Sequence, residues 1–73
     1  MENKSEVARL TALIEAEYQA SWNALHNMAY GTARHEFIAR RLEKVADHSK
    51  ALEAIIGENA TMQFLAQVGD DVL

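Results

Sequence analysis

The stretch Thr32–Ile56, TARHEFIARRLEKVADHSKALEAII, decides how this chain folds. Its apolar positions Ile38, Leu42, Val45, Leu52 and Ile56 recur at steps of three, four and seven, with Ser49 on the same line. A helix turns about 100° per residue, so this spacing holds the set in one stripe along one face. The outer face is charged. Glu36, Arg40 and Lys44 follow at steps of four, the spacing of a surface ion-pair ladder. Such pairs stabilise a helix by roughly 0.2–0.5 kcal/mol each.

Upstream, a second stripe matches the first. Val7, Leu10, Ile14, Tyr18, Trp22, Leu25 and Met28 or Ala29 keep helical spacing, with Ser21 in the same sector. Leu13 and Ala24 widen that stripe on one flank. Asn3 and Glu6 have the spacing of a capping box, so a helix is expected over about 4–30. Gly31 then reads as its stop, and Thr32 as the cap of a helix over about 33–56. A break this short commonly joins antiparallel neighbours; the alternative is a kink in one long continuous helix. If the chain reverses at Gly31, Ile38 meets Leu25, Leu42 meets Ser21 or Trp22, and Val45 meets Tyr18. Ser49 then meets Ile14, and Ile56 meets Val7. Both stripes stay in register, which is the agreement between levels that a foldable sequence shows.

Gly57 reads as the stop of the second helix. Asn59 is a candidate cap for a short third helix over about 59–68, with Thr61, Phe64, Leu65 and Val68 on one face. Gly69-Asp70-Asp71 is expected to end it. The whole is one domain of 73 residues, all-α, a long antiparallel hairpin with a short C-terminal helix. A chain of this size buries a modest core and often completes it by association.

Composition narrows the function classes. There is no cysteine, so disulfides and thiolate metal sites are absent, and no proline interrupts the helices. The formal charge of −4 gives nucleic acid and anionic lipid nothing to attract them. Thr32–Ile56 itself carries five basic residues against four acidic ones, which is close to neutral and unlike a nucleic-acid arm. The first residues are polar and acidic, without the basic-then-apolar order of a secretory signal. No apolar run reaches the roughly 20 residues of a membrane span. The expected location is cytoplasmic.

The run Ala33-Arg34-His35-Glu36-Phe37-Ile38-Ala39-Arg40-Arg41-Leu42-Glu43, with Gly57-Glu58-Asn59-Ala60 downstream, resembles a recurring type of small bacterial all-helical protein, some of them carried on mobile elements. The resemblance covers the second half of the chain. It implies a bacterial source and a helical fold, and it assigns no activity and no functional residue.

Few side chains suggest chemistry. A turn at Gly31 brings His26 and His35 to one end, near Tyr30 and Glu36. Yet no two histidines have the i, i+4 spacing of a helical metal site, and the Glu-x-x-His pair of di-iron bundles is missing. No metal and no cofactor is expected. Arg34, Arg41 and His48 recur by sevens along one flank, either as a ridge for an anion or as the charged border of the stripe. Glu15 and Glu17 are available partners. Ser21 and Ser49 lie within the stripes, where each hydroxyl is expected to bond back to the carbonyl four residues earlier. A nucleophile would need a base in reach, and none is suggested.

The expectation is therefore a non-enzymatic protein that assembles with itself as a homodimer or higher homo-oligomer. Its interface would draw on Leu10, Ile14, Tyr18, Trp22, Leu25, Ile38, Leu42, Val45 and Leu52. Two other readings fit the same pattern. One is a small adaptor or antitoxin-like regulator that offers its apolar face to another protein. The other is a bundle that binds a small apolar ligand near Trp22.

Overall fold

The computed structural model describes the backbone of residues 2–72 and the side chains of residues 4–71. It is all-helical: α1 spans Glu2–Asn27, α2 Thr32–Ile56 and α3 Glu58–Val72. Two cross-helix bonds fix the direction of the first pair. Arg41 Nη1 lies 3.2 Å from Glu17 Oε1, and Arg34 Nη1 donates to the Leu25 carbonyl at 2.9 Å. Numbers rise along α1 as they fall along α2, so the pair is an antiparallel hairpin.

The turn differs in detail from the sequence expectation. α1 ends at Asn27, three residues before the expected Tyr30. The amide of Met28 still donates to the Ala24 carbonyl, but Arg34 takes the next carbonyl, that of Leu25. A side chain from α2 thus replaces the continuing backbone bond. Gly31 caps the start of α2, not the end of α1, and no side chain bonds to the α2 cap, so Thr32 is the first helical residue and not the cap. Gly31 has φ +138° and ψ −177°, a region open essentially to glycine alone.

The second joint is a single residue. Gly57 (φ +93°) donates to the Glu53 carbonyl at 2.9 Å, closing α2. Its own carbonyl accepts the Thr61 amide at 3.1 Å and the Thr61 hydroxyl at 2.8 Å, opening α3. Asn59, the expected cap, lies inside the first turn of α3. The helix also runs on through Gly69-Asp70-Asp71, where an end was expected. A mid-helix glycine costs about 1 kcal/mol but does not force a stop. Val68, 4% exposed, holds this part of the helix against the core. The capping role expected of the Asn3 side chain lies outside the described residues.

The core sits at the end of the hairpin away from Gly31. Leu10, Ile14, Val45 and Leu52 form its buried cluster, with Val7, Tyr18, Ile55, Ile56, Phe64 and Leu65 packed against it. α3 supplies Phe64 and Leu65, so this half of both stripes is roofed by the third helix. Burying such side chains is the dominant favourable contribution to folding, roughly 1.5–3 kcal/mol for each aliphatic. At 1.5 Å per residue α3 is about 22 Å long, against a molecular long axis of 43 Å. The other half of the hairpin has no such cover among the described residues. Among the described residues, no helix is long and apolar enough to cross a membrane.

Candidate functional site

The uncovered half of the hairpin holds a groove between α1 and α2. Tyr18, Ser21, Trp22 and Leu25 line it from α1, and Ile38 and Leu42 from α2, around a volume of about 170 Å³. These six residues share one groove, as a reversal near Gly31 requires. The contacts Arg41–Glu17 and Arg34–Leu25, however, set α2 about one turn away from the register in which Leu25 meets Ile38 and Leu42 meets Ser21 or Trp22, because the joint is centred before Gly31. The groove is open. Leu25 is 46% exposed and Leu42 47%, although both continue the stripe that buries Ile14 and Leu52 completely. Trp22 is steadied by His26, one turn further on, with ring centroids 4.2 Å apart.

The nine residues expected at an interface therefore divide. Leu10, Ile14, Val45 and Leu52 are consumed by the fold of the chain itself. Tyr18, Trp22, Leu25, Ile38 and Leu42 come together in the groove. Tyr18 belongs to both regions, because it also packs on the buried cluster.

The polar groups around the groove are unevenly satisfied. The hydroxyls of Ser21 and Ser49 are buried without a partner. The expected bond to the carbonyl four residues earlier is made by neither, whereas Thr61 makes such a bond to Gly57. Without a hydrogen-bonded base, neither serine is set up as a nucleophile.

The three basic residues spaced by sevens take different environments. Arg41 pairs with Glu17, as the sequence allowed, and stands 5.3 Å over the Phe37 ring. Arg34 is only 8% exposed; it caps α1 through Leu25 and lies 4.1 Å over the Tyr30 ring. His48 enters no ion pair among the described residues. The expected Glu36–Arg40–Lys44 ladder is likewise not closed among them, since their ion pairs are Glu6–Arg9 and Glu17–Arg41. Exposed pairs gain little over the entropy of holding two long side chains together. Glu6 shows the local effect: the hydrogen bond from Arg9 holds its carboxyl below the ordinary range.

Arg34 is the residue that sequence reasoning did not place in the interior. The signal was present. Arg34 lies four residues before Ile38 and eleven before Val45, on the apolar line itself. A charged residue there is read first as a border, because burying a guanidinium without a carboxylate is costly.

A second cavity of about 280 Å³ lies between α1 and α3, lined by Glu15, Gln19, Val68 and Asp71. It places the C-terminal end of α3 beside the middle of α1. Among the described residues, no group of three His, Asp or Glu side chains gathers as metal ligands would. No protein family, curated protein or solved structure matches this chain.

Proposed function

We propose that this chain acts by binding a second copy of itself through the open groove, as a small assembly protein without chemistry of its own. The carrying observation is the break in burial along one continuous stripe. Ile14 and Leu52 are 0% exposed, while Leu25 and Leu42, further along the same helices, are nearly half exposed. Together with Trp22 and Ile38 they leave a contiguous apolar patch of the kind that marks an interaction site. Two-fold pairing of identical hairpins into a bundle is the commonest way to cover such a surface. A small-ligand role is less favoured, because about 170 Å³ falls below the roughly 300–1,000 Å³ of ordinary ligand pockets.

Sedimentation equilibrium at micromolar concentration tests the reading. The parent chain is expected at about twice its 8.2 kDa mass, or a multiple of it. The Leu25→Glu, Leu42→Glu double variant is expected to keep its helical circular dichroism and lose the association. A parent chain that stays at 8.2 kDa up to about 100 μM, a concentration that detects even weak association, would overturn it. The groove would then belong to a helix of another protein.

A further inference from the structure

We propose that the two copies pair so that the hairpin tip of each meets the Asp70-Asp71 end of the other's α3, about a two-fold axis near Trp22. This rests on the self-association proposed above and adds its geometry.

On the α1 surface, Trp22 falls between Leu25 and Gln19 at 100° per residue. Leu25 borders the groove, and Gln19 borders the cavity that also touches Val68 and Asp71. α3 and the groove therefore share one side of the hairpin, while Arg41 and Glu17 bridge the other. Tyr18 marks the junction, packed on the core and lining the groove. The groove opens where α3 ends. From Tyr18 to the end of α1 at Asn27 it runs about 14 Å. A second hairpin laid antiparallel in this space reaches with its tip to the end of α3.

The two ends also differ in charge. From Tyr18 to His35 there is no Asp or Glu, and the tip carries the cation Arg34 with two formally neutral histidines, His26 and His35, before Glu36 follows in α2. The start of α2 has no acidic residue in its first turn and no side-chain cap, so its free amides and positive dipole end are unanswered. Arg34, 8% exposed and bonded to the Leu25 carbonyl, has no carboxylate within ion-pair distance among the described residues, so its charge adds to the field of the tip without itself offering a free contact. From Ala51 to Leu73 the position is reversed: four acidic residues and no Lys, Arg or His. Asp70 and Asp71 sit exposed in the last turn of α3, where no basic residue offsets the negative dipole end.

Within one copy the two uncompensated ends are separated by the length of the groove. One two-fold operation through the groove centre brings each onto its complement twice, and it covers Leu25 and Leu42 at the same time. Pairing tip to tip would cover the leucines but set like charges together.

Cysteine cross-linking distinguishes these arrangements, because the chain has no cysteine of its own. Thr32 and Asp71 are both exposed, so Thr32→Cys and Asp71→Cys leave the core alone. A mixture of the two variants, oxidised at micromolar concentration, is expected to give a disulfide-linked dimer containing one of each. Either variant alone is expected to give none, since a disulfide needs Cα atoms within about 7 Å and the two tips lie about 14 Å apart. The Asp70→Lys, Asp71→Lys double variant is expected to associate at least about tenfold more weakly than the parent, a loss of the size that complementary interface charges carry. Cross-linking by Thr32→Cys alone, no mixed disulfide, or undiminished association of the lysine variant would each overturn this geometry. In those cases a dimeric parent leaves the self-association standing; a monomeric parent removes both.

Discussion

The two halves of the hairpin are built from the same two stripes and end in opposite states. In the half away from Gly31, α3 closes over the stripes, and Leu10, Ile14 and Leu52 are 2%, 0% and 0% exposed. In the half next to Gly31 no third helix lies over them among the described residues, and Leu25 and Leu42 stay nearly half in water. Residue type does not explain the contrast, for leucine occupies both halves. The difference is one of cover. An amphipathic face states a need for burial, and where that need is met depends on how far a third element reaches.

Truncation should separate the halves most sharply. Ile14→Ala removes fully buried methyl groups and is expected to cost about 2–5 kcal/mol. Leu42→Ala in dilute protein should cost about 1 kcal/mol or less, because half of its side chain is already hydrated. Urea unfolding at two protein concentrations checks this. If a second copy covers the groove, the Leu42→Ala deficit grows with concentration by mass action, while that of Ile14→Ala starts large at both. Equal costs in dilute protein would erase the contrast between the halves.

The joints carry the same comparison on a smaller scale. Gly57 and Gly31 both have positive φ, and a Cβ at either would meet nothing within 4 Å. The cost of alanine is therefore backbone strain alone. At Gly57 the strain is held from both sides, by the bond to Glu53 and the two from Thr61. Gly57→Ala is expected to lose about 1–3 kcal/mol. Gly31→Ala, at the open tip, is expected to lose about 1 kcal/mol. Thermal melts of the two variants rank them, and the reverse order would show the tip to be the stiffer joint.

Gly69→Ala should give the smallest change, and it should be favourable. Gly69 lies within α3 without a positive φ, and a Cβ there has open space. Alanine is expected to stabilise by up to about 1 kcal/mol. A lower melting temperature for this variant would mean that the last turn of α3 needs glycine after all.

Much of the groove was legible in the sequence. Tyr18, Trp22 and Leu25 share a face of α1, and Ile38 and Leu42 a face of α2, because of their spacing alone, and the antiparallel reversal brings both sets to one groove. Three features were not legible. The early end of α1 depends on Arg34 reaching Leu25 across the turn. The passage of α3 through Gly69 depends on burial of Val68. The orphaned hydroxyls of Ser21 and Ser49 depend on rotamers that spacing does not set.

The sequence by itself determined three helices, their apolar stripes and the antiparallel pairing of α1 with α2. These follow from covalent geometry, in which each residue advances a helix by a constant angle and rise, so position along the chain gives position on a face. Tertiary structure alone decided which half of the stripe became core and which stayed open. That outcome turns on the length and direction of α3 after a one-residue joint at Gly57, and on contacts between side chains far apart in the chain, which no local periodicity contains.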